Sequence, residues 1–304
     1  MRLGFAVKVL GDGGLPTHDA RRWQSGPHLR WSVEAMHGVL GYLERHDISM
    51  YRMTASLAPY ATHPDLPQFH RQLEEAAEEL ARLGERARSL GIRLSTHPSQ
   101  YIVLNSADPG VRAAAARDVE LQAGILDVMG LGPEAVVVLH VGGRAGGLDG
   151  FETAFQALSE RARARLVVEN DDRSFGLGAV LDLHRRLGLP VVWDILHHHC
   201  HDPDAIPERE ALELALATWP DGVAPKIHYS SPKTAMEHRG GRWVLPQLRA
   251  HADMIDPIAF GRFIEETAAG LDFDVMLEAK AKDLALLRLR QQLPTALRPA
   301  PAAA

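Results

Sequence analysis

Eight short runs rich in β-branched and apolar residues recur along the chain, and a helical stretch follows each: RLGFAV, ISMYRMT, IRLSTHP, AVVVLHVG, RLVVEND, PVVWDIL, PKIHYSS and FDVMLEA. Near-continuous apolar strands joined by helices imply a parallel sheet covered on both faces. Eight such units within 304 residues favour one (β/α)8 TIM barrel over residues 1–292, with its active site at the C-terminal ends of the strands. An open doubly wound sheet would place a glycine-rich phosphate loop and a helix after the first strand. GDGGLP stands there, but no helical pattern continues from it. The tail LPTALRPAPAAA, residues 293–304, is expected to be disordered.

The strand ends carry the chemistry. His97 closes the third run, His140 the fourth and Glu169 the fifth; Asp194 closes the sixth, with His197 and His198 just beyond. The seventh contains Lys226 and His228, and the eighth ends in Glu278. A buried charge is costly unless paired or bound to a metal. Six consecutive strands delivering imidazole or carboxylate to one rim therefore point to metal ligation. The mixed ligand set suits zinc, manganese or iron better than calcium. The ligands exceed the needs of one ion, so two or three metals sharing carboxylates are expected. Within HHHCH only one or two residues can face such a site, which leaves His199 and His201 to solvent and makes Cys200 an inert buried thiol. The charged stretch EEAAEELARLGERAR reads as a solvated helix face, ended by Gly91. His18, His28, His46, His70 and His184 are assigned to ordinary structural roles.

No apolar run approaches the roughly 20 residues that span a bilayer, so no membrane partner is expected. The first residues lack a signal peptide's apolar region, and a single cysteine fits a reducing cytoplasm. The formal net charge of −6 argues weakly against nucleic acid, but bound cations would offset it. Basic residues also cluster locally, in RRWQSGPHLRW and SPKTAMEHRGGRW.

The segments YRMTASLAPYATHP, STHPSQYIVLNS, VVVLHVGG, LVVENDD, VVWDILHHHCH, PKIHYSSPK, RAHADMIDP and DVMLEAKAKD resemble, in order, the signature segments of UV damage endonucleases, from about Tyr51 to Asp283. That family comprises metal-dependent TIM barrels related to endonuclease IV. Its members nick DNA 5′ to ultraviolet photoproducts and begin an alternative excision repair. The resemblance implies metal ligation by His97, His140, Glu169, Asp194, His197, His228 and Glu278. It adds His251 of RAHAD, with His238 of MEHRG as a rival. It places Lys226 beside the metals, in the family in a modified form. Glu169, Lys226 and Lys280 are the expected catalytic residues. Gln100 and Tyr101 match the pair that probes the duplex at the lesion, and His63, Asn105 and His198 are grouped with them as DNA contacts. The family's first strand ends in a tyrosine followed shortly by an asparagine, and Phe5 and Val9 occupy approximately that region here.

These readings together describe a cytoplasmic, monomeric repair endonuclease acting on damaged double-stranded DNA. It would use divalent metals, manganese first and zinc or magnesium as alternatives, and no organic cofactor. Three other readings share parts of this pattern: an apurinic-site endonuclease of the endonuclease IV type, a xylose-isomerase-like sugar isomerase, and a protein that binds damaged DNA without cutting it.

Overall fold

The structure is a computed structural model that describes residues 1–293, so all of the proline- and alanine-rich tail except Leu293 lies outside the described residues. Each of the eight runs forms a strand: β1 Leu3–Ala6, β2 Met50–Met53, β3 Arg93–Thr96, β4 Val137–His140, β5 Leu166–Glu169, β6 Val191–Val192 and β7 Lys226–Tyr229 come first. An antiparallel hairpin, β8 Glu237–Arg239 and β9 Arg242–Val244, precedes the eighth barrel strand, β10 Asp274–Leu277. The hairpin is not foreshadowed by the alternation, because its polar, exposed residues carry no apolar period.

The barrel strands pair in parallel in the order β6-β5-β4-β3-β2-β1-β10-β7. A parallel bridge between Asp194 and His228 joins the two ends, supported by the His228 amide donating to the Trp193 carbonyl at 2.9 Å. Register then sets height: His140 lies opposite Glu169, and Met276 opposite His228. Because alternate residues of a strand face the same side, Lys226 and His228 share a face one level apart.

The outer ring follows local rules. Asp108 caps the helix Pro109–Val128 by accepting from the Gly110 and Val111 amides, and Pro109 begins it. The charged stretch forms the helices Gln72–Glu75 and Ala77–Ser89, and Gly91 beyond them takes φ +62°. A continuous apolar core lies between barrel and helices, with Phe5, Tyr51, Leu94 and Leu277 at 1% exposure or less. Among the described residues, no helix is long and apolar enough to cross a membrane.

Candidate metal centre

Glu169 sits at the centre of the rim. Ending β5, it is fully buried, and four imidazoles surround its carboxylate. His97 Nε2 lies 2.9 Å from Oε2 and His140 Nε2 3.7 Å from the same oxygen. His228 Nδ1 is 2.9 Å and His197 Nδ1 3.5 Å from Oε1. Each imidazole comes from a different strand end, so the barrel, not local sequence, assembles the set.

The sixth strand ends differently from the others. Asp194 leaves the strand and becomes the N-cap of the one-turn helix Ile195–Cys200, accepting from the His197 amide at 2.8 Å. Asn170, next to Glu169, holds Asp194 in place by donating to its carbonyl and accepting from its amide. Successive helical residues point about 100° apart, so consecutive histidines cannot share a direction. His197 faces Glu169. His198 is buried edge-on against Trp193, with Nε2 2.9 Å from the Ile206 carbonyl oxygen. His199 is exposed and pairs with Glu208, and Cys200 is half-buried, its thiol pKa raised by burial.

Three groups of ligand atoms lie close enough to hold an ion: His97, Glu169 and His228; His140, Glu169 and His197; and Asp194, His228 and Glu278. Glu169 and His228 each belong to two groups, the arrangement expected of ions with bridging ligands. Buried polar atoms nearly always find partners. Here Nδ1 of His140, Oδ2 of Asp194 and Nε2 of His228 are buried without one. These orphaned atoms, all of ligand type, fit divalent cations. His251 lies outside the three tight groups, yet its Nδ1 is 3.7 Å from Glu278 and its ring 6.2 Å from that of His197. His238 stands out on the hairpin, exposed, against Trp243.

Charge in the centre is strongly perturbed. Burial alone would raise the Glu169 carboxyl, but His228, His140 and His197 hold it well below the usual carboxylate range. Burial raises Asp194. His97 and His197 diverge. Burial takes His97 down to about 4 despite Glu169, with Arg52 and His140 adding repulsion. Burial also opposes charge on His197, but Asp194, Glu169 and Glu278 push it to about 11. Both rings meet Glu169, but for His97 burial outweighs that single carboxylate, whereas His197 has three carboxylates around it.

Lys226 begins β7 and is fully buried, its Nζ without a partner. Burial, reinforced by Arg93 and Arg52, holds its pKa well below the ordinary lysine value. Lys280 is exposed beyond β10, its amide donating to the Ala252 carbonyl. Sequence reasoning passed over Arg52, because the β2 run ends in neither histidine nor carboxylate. Its guanidinium pairs with Oε1 of Glu278 and fixes that carboxylate from the opposite side.

The expected DNA contacts separate into two sets. Gln100 and Tyr101 are exposed, Tyr101 at 78%, beside a cleft of about 400 Å³ that runs past His140 and His197. His63 is exposed as well, its Nδ1 accepting from the Asp65 amide. Asn105 and His198 do not reach that surface. Asn105 is buried, donates to the Gly143 and Gly147 carbonyls and accepts from the Gly143 amide. It clamps the loop after β4, where a Cβ at Gly146 would meet the Asn105 carbonyl oxygen at 1.5 Å. Phe5 and Val9 are also buried, at 0% and 2% exposure, and both pack in the main apolar core.

The family model described as UV-endonuclease UvdE matches residues 30–299. A UV DNA damage endonuclease of Bacillus pumilus is 32% identical over 254 residues, covering 82% of this chain and 76% of that protein. The crystal structure of SacUVDE superposes with a TM-score of 0.80 at 28% identity, covering 95% of this chain and 96% of that one. Endonuclease IV from Thermus thermophilus shares the fold, with a TM-score of 0.57 at 16% identity over 96% of this chain and 98% of that one.

Proposed function

Since the chain belongs to the UV-endonuclease UvdE family, we propose that it is a metal-dependent DNA repair endonuclease that nicks one strand immediately 5′ to ultraviolet photoproducts, with abasic sites as a further substrate. The carrying observation is Glu169, buried and within 3.7 Å of imidazoles from four strand ends. A structural ion pair needs one partner, not four.

His97, His140, Glu169, Asp194, His197, His228 and Glu278 hold two or three divalent ions, manganese first among them, and His251 adds to the set from beside Glu278. Such ions supply Lewis-acid charge that activates water and neutralises a scissile phosphate. Glu169 and His228 keep neighbouring ligand groups at a fixed spacing. Arg52 and Asn170 orient the outer carboxylates, Glu278 and Asp194. The buried amine of Lys226 lies below the ligand layer, and Lys280 offers positive charge at the open rim. Gln100 and Tyr101 probe the duplex from the edge of the cleft, replacing stacking where a lesion has weakened it. Damaged duplex is easier to distort than intact duplex, which supplies selectivity without base reading. The products are a 3′-hydroxyl and a 5′-phosphate. The protein acts as a cytoplasmic monomer.

The test is a labelled duplex carrying one thymine dimer, beside an undamaged control, incubated with manganese or with chelator. A chelator-sensitive nick just 5′ to the dimer and absent from the control supports the reading. Cleavage only at an abasic site assigns the chain to apurinic-site repair. No cleavage by the metal-loaded protein refutes the nuclease reading.

A further inference from the structure

The hairpin of β8 and β9 is an insertion before the eighth barrel strand whose side chains have little to pack against. Trp243 is 67% exposed, Leu245 71% and Leu248 57%. A lone two-stranded hairpin is marginally stable at best in water, so its shape must come from its turn and its base. The turn is Gly240–Gly241, both at positive φ (54° and 78°), which suits the tight two-residue hairpin. The base is a short antiparallel ladder in which Pro232 bridges His251 and the Lys233 amide donates to the Ala250 carbonyl. His251 is the histidine beside Glu278. The arm therefore springs directly from the rim of the metal centre.

Its two faces differ. Arg239 and Arg242 are directly opposed next to the turn. Like charges in that register destabilise a hairpin. Arg239 is offset by Glu237, but among the described residues Arg242 has no carboxylate partner. His238 and Trp243 are opposed on the other face, ring centroids 5.2 Å apart. From Lys233 to Arg249 the chain carries Lys233, Arg239, Arg242 and Arg249 against Glu237 alone; Arg249 pairs with Asp172 outside the segment, and Lys233 and Arg239 share Glu237, in a protein of formal charge −6. Positive charge is thus concentrated on the element that projects from the centre.

We propose that this hairpin is a DNA-gripping arm: a β-ribbon that lies in a groove of the duplex flanking the cut, with Arg239 and Arg242 on backbone phosphates and Trp243 against the groove wall. The proposal deepens the nuclease reading and rests on it. The major groove of duplex DNA admits a two-stranded ribbon, and paired guanidiniums on one face match phosphate chemistry. From base to tip the arm spans at most about 25 Å, or roughly seven base pairs at about 3.4 Å each. The grip is local and sequence-neutral. It holds the duplex while Gln100 and Tyr101 test the lesion.

The experiment compares the parent protein with Arg239→Ala/Arg242→Ala, using fluorescence anisotropy on an undamaged duplex of about thirty base pairs across a salt series. Each lost phosphate contact should reduce the slope of log K against log salt by about 0.9. The double variant should therefore lose close to 2 from the slope and bind at least tenfold more weakly in low salt. Arg239→Lys/Arg242→Lys should regain most of the slope. Trp243→Ala should weaken binding with the slope unchanged. On a thymine-dimer duplex, nicking by the alanine variant at sub-saturating protein should fall in step with its lost affinity. An unchanged slope and affinity in a parent that binds and nicks overturns the arm and leaves the nuclease standing. A parent that binds with the full slope yet never nicks overturns the nuclease reading while the arm survives. A stable dimer in solution that the alanine pair dissociates also overturns the proposal, since the arm would then serve a second copy of the chain.

Discussion

Two layers of buried charge lie inside one barrel and are built on opposite principles. At the N-terminal end, Asp274 accepts from the Arg2 amide at 2.7 Å and from Arg93 Nη1 at 2.8 Å. Arg93 also donates to the Glu134 and Ala224 carbonyls and lies over the Trp219 ring. In that layer permanent cations are charge-paired to one carboxylate, with only Arg93 Nη2 left without a hydrogen-bond partner. At the C-terminal end, Glu169 has imidazoles on every side, and atoms of His140, Asp194 and His228 are left over. Arginine cannot give up its proton, so it must be paired when buried. Histidine can shed its proton and accept a metal instead. The N-terminal layer thus pairs its fixed charges, whereas the C-terminal one leaves several ligand-type atoms over.

The sharpest way to break this contrast is to remove the carboxylate of each layer. Glu169→Gln should lower the nicking rate by about 10³-fold or more. Its thermal midpoint should stay within a few degrees of the parent's, because the freed histidines can become neutral; scanning calorimetry beside the cleavage assay reads both. Asp274→Ala should do the reverse. It strands Arg93 as an unpaired buried cation and should cost about 3–5 kcal/mol of stability, read by denaturant unfolding. Residual activity should survive below the new midpoint. If Glu169→Gln unfolds the protein and Asp274→Ala does not, the assignment of the two layers is wrong.

Proton linkage sharpens the comparison further. His197 is pushed to about 11 in the metal-free protein, so it carries a proton at pH 7. A metal ligand must be neutral, so loading should expel about one proton from it and affinity should rise about tenfold per pH unit. The sign is fixed: a raised pKa makes binding weaker as pH falls. Titration calorimetry with manganese in two buffers of different ionisation heat measures that proton. Zero release would remove His197 from the ligand set. The smallest expected effect lies outside both layers: Asp108→Ala deletes an exposed helix cap and should cost about 1 kcal/mol, with nicking unchanged.

Much of the site was legible because barrel strands end where chemistry begins. His97, His140, Glu169, Asp194 and Glu278 stand at or within two residues of strand ends, and the two-residue period that makes a strand apolar also marks where it stops. The same logic failed where side-chain direction depends on a turn of helix. HHHCH reads as one polar cluster, yet Asp194 capping turns His197 inward and His198 into the core. It failed again where a long-range partner defines the role, as for Arg52 across from Glu278 and Asn105 under Gly146. The hairpin arm escaped notice because its order comes from two glycines and a ladder to His251, not from buried apolar residues.

Periodicity and strand-end residue types are local properties, and by themselves they determined the barrel, its polar rim and the ligand-type side chains gathered there. Closure of the sheet, which brings residues from distant strands within hydrogen-bonding distance, is a property of the whole chain. Only that closure decided which histidines share Glu169, which lysine is buried without a partner, and which loop stands free beside the centre.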